Sequence, residues 1–540
     1  MDQPRVRRHP AELPLPGHRT PRVGDAALHR PRRGGDATRR RRRRPHRIPP
    51  SRCRSPAGGR RYGGRIMLMT RMVEYSPEPG ELVEFEVQDT AGTEWSEHPE
   101  PPSWVQQHHT GLWLANQAAG RTTSPWVCIA FDLPGRLDTD AMAAALETWA
   151  RRHSTLLTWF AADDSGLKRY AMPPESLAIR PVSQGEVESS TEIRTHLRER
   201  LDTSVNPMQW PPFAVTAVLR DTTSTLVYAV DHSHCDGLSL MLVFAELRAL
   251  YQAELDGTDP GLPEVGSYVD FCALERERLA QIGPDTPGVD RWIDFWREGG
   301  DQTVPLDLGT EPGKTYPSLI IEEDVLTAVE SDVFSQVCKA SGGGSTAGLL
   351  AALAICGYEL NGSESYRGLT VVNTRDEARW YGAQGWFINV VPISFPVAGR
   401  KGFAEVIVEA QRAFKEARAM AGVPLPRVAE LYPDLAAQFV PGAAPPMVSY
   451  LDLRHAPASA DWPGADLRIM APPGETREVS MWLNRAWDRT FLNTKYPDTE
   501  TARTNVPIFL ERLHHVLREV ARNGDYPIGD RAAAPADPVV

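Results

Sequence analysis

The strongest constraint on the fold lies in the middle of the chain. An apolar run at residues 226–230 leads directly into Asp231-His232-Ser233-His234-Cys235-Asp236-Gly237. Leu240, Phe244, Leu247 and Tyr251 then follow at spacings of four, three and four. Those spacings place four side chains on one face of a helix, and the run before the loop reads as a short buried strand. Two segments that need burial therefore bracket a loop carrying two carboxylates and two imidazoles. Burying such groups without partners costs on the order of 1–3 kcal/mol each. The fold must supply partners for them or present the loop at a working surface.

Within the loop, His232 has an unperturbed pKa of about 6.5 and can accept a proton from a hydroxyl or amine nucleophile. Asp236, four residues on, is ionised and needs a cation if it is buried. Gly237 permits a tight backbone turn into the helix. As a bare pattern HxxxDG is weak, since a loop imidazole is more often a structural residue than a base. His232-x-His234-x-Asp236 also resembles the start of the HxHxDH zinc motif of metallo-β-lactamase-type hydrolases. That motif needs a histidine where Gly237 stands, and no nearby cluster supplies further ligands, so no metal is expected. Cys235 sits between Asp231 and Asp236, whose charges disfavour a thiolate, and it reads as a packing residue.

The 540 residues suffice for two lobes. Charge is divided unevenly: residues 1–66 hold 20 arginines against four acids, a net of +16, and the remainder carries −27. An acidic body of that size repels nucleic acid and anionic membranes. The basic segment lacks apolar periodicity and an apolar leader stretch, so it reads as a disordered arm or a mis-assigned start, and not as a secretory signal. No apolar run reaches the ~18 residues of a membrane-spanning helix. Six scattered cysteines form no CxxC pair and fit a reduced, cytoplasmic compartment.

Along the body, strand patterns are expected at 126–133, 226–230 and 369–372, and a hairpin at 481–487 and 491–496 around Asp488-Arg489. Helices are expected at 137–150 with Asp138 as cap, at 347–360, from Phe403 to Phe414, and from Val506 to Leu517. The Pro- and Gly-rich stretch 281–290 reads as a linker. The mixture indicates an α+β or mixed α/β architecture without repeats. The boundaries expected are an arm at 1–66, an N-terminal lobe at 67–285 carrying HxxxDG, a C-terminal lobe at 286–523 and a flexible tail at 524–540.

Several further segments resemble one superfamily in order along the chain, the HxxxDG acyltransferases. These include nonribosomal-peptide condensation domains and the mycobacterial polyketide-associated (Pap) acyltransferases. Ser103-Trp104-Val105-Gln106 with Leu112-Trp113 resembles the opening condensation element. Arg151-Arg152-His153 with Leu156-Leu157 and Phe160 is similar to RHxxLRxxF. Gly266-Ser267-Tyr268-Val269-Asp270-Phe271-Cys272 resembles YxDYxxW, followed by Trp292-Ile293-Asp294-Phe295-Trp296. Gln384-Gly385-Trp386-Phe387-Ile388-Asn389 is similar to GxFxN. The commoner signature is HHxxxDG, and here Asp231 stands in the first position. The wording around Gly266 and Gln384 resembles the Pap branch that acylates trehalose-type glycolipids.

The resemblance implies an α+β, two-layer fold of two chloramphenicol-acetyltransferase-like lobes meeting in a V, with the loop at the junction. It implies acyl transfer from an acyl-CoA or carrier-bound thioester to a hydroxyl acceptor such as a glycolipid. His232 would be the base, and Asp236 and Gly237 would shape the loop. Arg375 would hold Asp236, with Arg379 as fallback, and Asn389 would support the site. No cofactor is implied. A polyketide synthase or acyl-carrier protein is the implied partner, and the cytoplasm, extending to the inner membrane surface, the implied place. Two other readings stand beside it: an amide-forming condensation enzyme, and an inactive module that recruits a carrier protein, which Asp231 favours.

Overall fold

The computed structural model describes residues 69–88, 95–121, 123–299, 304–436, 447–472 and 474–529. The basic arm and the tail beyond residue 529 lie outside the described residues.

The first lobe is built on a seven-stranded sheet. Its order is Met69–Arg71, Arg468–Ala471, Trp126–Pro134, Thr223–Asp231, Phe213–Leu219, Gly80–Val87, Ile179–Val187. The strand that leads into the loop is central. It pairs antiparallel with both neighbours, Val230 lying opposite Val127 on one side and Phe213 on the other. Both faces are covered, which explains a nearly continuous apolar run where a half-exposed strand would alternate. On the neighbouring strand, Ile129, Phe131 and Leu133 pack under the helices Thr139–Arg152 and Gly237–Asp256, while Trp126, Cys128 and Ala130 pack with Ile193 and Leu197 of Ser190–Ser204 on the other face. Asp138 caps the first of these helices, accepting from the Ala141 amide at 3.0 Å.

The second lobe repeats the plan with a seven-stranded sheet in the order Ile388–Pro396, Ser365–Asn373, Val448–Asp452, Ser480–Arg485, Arg489–Pro497, Tyr316–Thr327, Glu475–Thr476. Helices Ser345–Asn361, Phe403–Ala419 and Glu500–Asn523 share its core. Ser345–Asn361 is apolar on all sides because it is buried on all sides. No single helix among the described residues is long and apolar enough to cross a membrane.

Two features depart from the sequence reading. Leu453, Trp462 and Leu467 pack in the first lobe's core, and Arg468–Ala471 pairs with Trp126–Pro134, Ile469 opposite Ile129. A segment of the second half thus crosses the boundary drawn at 285/286. It covers backbone groups that would otherwise form an open sheet edge. The chain expected to fray from residue 524 is instead tied down as far as Gly529: Pro527 bridges to Gly402, the Tyr526 hydroxyl donates to Glu359 at 3.0 Å, and the Ile528 amide donates to Lys401 at 3.0 Å.

The lobes are joined by a smaller apolar cluster. Tyr268, Phe271 and Cys272 of helix Tyr268–Ala280 pack against Trp380, Ala383 and Phe387 of the second half. This contact lays the segment 380–387 over the loop that precedes helix Gly237–Asp256.

Candidate active site

Strand Thr223–Asp231 ends where helix Gly237–Asp256 begins, and the loop between them makes one short helical turn, His232–His234. Asp236 is the N-cap of the long helix. All of its acceptor capacity is used: Oδ1 accepts from the Ser239 amide (2.7 Å) and an Arg375 nitrogen (3.1 Å), and Oδ2 accepts from the other Arg375 terminal nitrogen (2.7 Å) and the Phe387 amide (2.9 Å). Burial opposes ionisation of this carboxyl. The Arg375 charge and these hydrogen bonds outweigh it and hold the group below the ordinary carboxylate range.

Arg375 is equally enclosed, its side chain 0% exposed. Its remaining donors reach the Ser239 hydroxyl (2.8 Å), the Trp380 carbonyl (3.1 Å) and the Ala383 carbonyl (3.3 Å), and its guanidinium lies 4.2 Å from the Phe387 ring centre. Arg379 is not the partner of Asp236. It is half exposed, pairs with Glu377 at 2.9 Å and stacks over Trp380.

Ser239 completes the seam between lobes. Its hydroxyl donates to the Gly385 carbonyl at 2.9 Å, and its carbonyl accepts from Gln384 at 2.8 Å. Gly385 is required there, because a Cβ would fall 2.3 Å from the Tyr268 ring. Gly237 is different. It lies exposed at the first position of the helix, outside the left-handed region, and a Cβ would meet nothing within 4 Å. The turn that sequence reasoning reserved for glycine is thus absent. What the missing side chain leaves is open space beside the loop. Asn389 is not at the loop: it ties the start of strand Ile388–Pro396 to the Ala421 carbonyl at 3.0 Å.

His232 is half-buried on this seam, its ring centre 4.4 Å from that of Trp386, which belongs to the other half of the chain. Its Nδ1 is the buried nitrogen and has no hydrogen-bond partner on another residue. That leaves Nε2 for a substrate. Burial and the nearby His109 lower its pKa, while its own carbonyl, Asp231 and Asp236 act in the opposite direction. A neutral imidazole with a free nitrogen near neutrality can take a proton from an incoming nucleophile.

The other loop residues are structural. His234 is buried, stacks on Phe160 (5.2 Å, 10°) and points Nδ1 at the Thr155 carbonyl (2.9 Å); burial above all lowers its pKa to about 4. The Cys235 thiol is pushed up by burial first and by Asp236 and Asp231 second.

Sequence reasoning missed four side chains here. Gln106, on the helix Trp104–Ala118, donates to the Ser233 carbonyl at 2.9 Å and so fastens that helix to the loop. His109, one helical turn later, faces Asp231, its Nε2 3.5 Å from Oδ2. Ser239 and Trp386 are the others. Gln106 and Trp386 lie within motifs the sequence displays, but nothing in their spacing reveals which loop they meet.

A sequence model described as the condensation domain matches residues 103–438. The acyltransferase PapA3 of Mycobacterium tuberculosis (strain CDC 1551 / Oshkosh) is 28% identical over 463 residues, covering 84% of this chain and 96% of that protein. The 2'-acyl-2-O-sulfo-trehalose (hydroxy)phthioceranyltransferase PapA1 of Mycobacterium bovis (strain BCG / Pasteur 1173P2) is 28% identical over 467 residues, covering 84% of this chain and 89% of that protein. Among solved structures, PapA2 acyl transferase is similar with a TM-score of 0.76 at 26% identity, covering 84% of this chain and all of that one. The first condensation domain of the calcium-dependent antibiotic synthetase, with a TM-score of 0.61 at 16% identity over 80% of this chain and 98% of that one, shares the fold.

Proposed function

Because this chain belongs to the condensation-domain family and is an acyltransferase, we propose that it moves an acyl group from a thioester to a hydroxyl of a sugar-type acceptor, with His232 as general base. The observation that carries this reading is the clamp around the loop. Buried Asp236, with two hydrogen bonds from Arg375 and one each from the Ser239 and Phe387 amides, locks the loop of one lobe to the other, and the half-buried His232 ring packs at that seam.

Nε2 of His232 takes the hydroxyl proton as the oxygen attacks the thioester carbonyl. When the tetrahedral intermediate collapses, the C–S bond breaks and the same nitrogen returns the proton to the departing thiolate. Asp236 and Arg375 touch no substrate; they fix the direction of the imidazole. The thioester, whether acyl-CoA or carrier-bound, is consumed as a substrate, and the step needs no cofactor. The relative named for sulfo-trehalose acylation supports a trehalose-based acceptor.

Incubating the protein with a panel of acyl-CoAs and trehalose or glycolipid acceptors, and weighing the products, tests this directly. An ester product is expected, and His232→Ala is expected to reduce its formation by about 10²–10⁴-fold with folding intact. Wild-type turnover by that variant rejects the base. Amide formation with a matched amine acceptor would redirect the assignment to condensation, and binding of an acyl-carrier domain without turnover would redirect it to recruitment.

A further inference from the structure

Asp231 is the least expected residue of the loop, and the structure gives it a companion that no motif contains. Its side chain is fully buried at the end of strand Thr223–Asp231. Oδ1 is satisfied by the Ser233 amide (2.9 Å) and the Ser233 hydroxyl, but Oδ2 has no hydrogen bond. A buried carboxylate with one oxygen unmatched is costly unless a cation faces it. Among the described residues, His109 is the basic side chain within 4 Å, its Nε2 3.5 Å from Oδ2 and itself without a hydrogen bond.

The approach is built into the fold. Helix Trp104–Ala118 starts with a reciprocal cap between Ser103 and Gln106, and the same Gln106 is fixed to the Ser233 carbonyl. His109 then lies one turn along the same helix. Its ring centre is 6.0 Å from that of His232 and 5.4 Å from that of Trp386, against which His232 also packs.

We propose that His109, seated against the buried carboxylate of Asp231, is a positioning residue for acyl transfer that stands between this carboxylate and the base His232. This rests on the reading of His232 as base. His232 faces three titratable neighbours: His109 from the opening helix, Asp231 from its own strand, and Asp236 from its loop. Asp236 is already paired with Arg375, and Asp231 faces His109. His234, which also interacts with Asp231, is committed to Thr155, and His108 stands beside His109 in sequence. Burial, then His109, disfavours the charged form of His232; burial of Asp231 is outweighed by His109 first, with His234 and the Ser233 hydroxyl acting in the same direction, and its carboxyl lies below the ordinary range. Removing His109 leaves the Asp231 carboxylate without its facing imidazole, so that the anion acts on His232 unscreened and draws a proton onto the base. Removing both partners cancels that effect.

The test follows carbethoxylation of His232 by diethylpyrocarbonate from pH 4.5 to 8, read by peptide mass spectrometry. It needs no substrate, because only the neutral imidazole reacts. The wild-type midpoint is expected below about 6.5. His109→Gln should raise it by about one unit, and the double variant H109Q/D231N should return most of the way. Should H109Q fold poorly by circular dichroism, H109N serves in its place. A midpoint unmoved by loss of His109, or a double variant displaced further than the single one, overturns the proposal. Free-thiol release from palmitoyl-CoA with trehalose, measured on His232→Ala alongside, separates the two readings. Full turnover there removes the base assignment. Lost turnover with coincident midpoints removes only the role of His109.

Discussion

Replacing Asp236 by alanine tests the clamp on which the site depends. The carboxylate accepts four hydrogen bonds, two from Arg375 and one each from the Ser239 and Phe387 amides. Loss of an N-cap costs about 1 kcal/mol, and breaking a buried ion pair from one side costs about 3–5 kcal/mol. The same two oxygens serve both roles, so the terms overlap and the expected loss is about 4 kcal/mol. Arg375 keeps the Ser239 hydroxyl and two carbonyls, which limits the damage without supplying a counter-charge. Urea unfolding followed by circular dichroism measures the loss. Arg375→Met and the double variant complete a cycle in which the double should cost at least about 2 kcal/mol less than the sum of the singles. Arg379→Ala, at a half-exposed position, is the control and should stay within about 0.5 kcal/mol. The sign with pH follows from the depressed Asp236 value. Stability from the pair is fully present above the ordinary carboxylate pKa of about 3.9 and is lost as pH falls through the lower folded value. The deficit of D236A should therefore be constant from pH 8 to 5 and narrow below about pH 4. An unchanged urea midpoint for D236A, or strictly additive costs in the cycle, would refute the reasoning.

Two further outcomes follow from the same geometry. His234 is held neutral, with a folded pKa of about 4 against an ordinary value near 6.5. Its contribution is thus present above about pH 6.5 and declines as pH falls, by about 3 kcal/mol once the pH is below 4. His234→Gln should flatten the dependence of the urea midpoint on pH between 7 and 5, and an equally steep variant would contradict the assignment. Gly385→Ala, whose Cβ meets the Tyr268 ring at 2.3 Å, should cost about 2–4 kcal/mol. Gly237→Ala has open space and should keep the wild-type melting temperature; matching melting curves for the two variants would argue against this account of the seam.

Much of the fold is legible locally. The run 226–230 and the spacing from Leu240 to Tyr251 fall within strand Thr223–Asp231 and helix Gly237–Asp256. Asp138 caps the helix it was expected to cap, and the hairpin expected around Asp488 forms between Ser480–Arg485 and Arg489–Pro497. These readings succeed because periodicity and capping are properties of neighbouring residues. Burial of Arg375 is a different matter. Nothing adjacent in sequence distinguishes it from the exposed Arg379, and only the resemblance set it apart.

The sequence by itself determined those helices and strands whose periodicity it displays, and the loop that carries ionisable groups between a buried strand and a buried helix. Tertiary structure alone decided that Arg468–Ala471 completes the first lobe's sheet, that Gly524–Gly529 is tied to the second lobe, and that His109 faces Asp231. Backbone periodicity is set over a few residues. The partner of a buried charge is set by which distant surfaces close around it, and that depends on the packing of both lobes together.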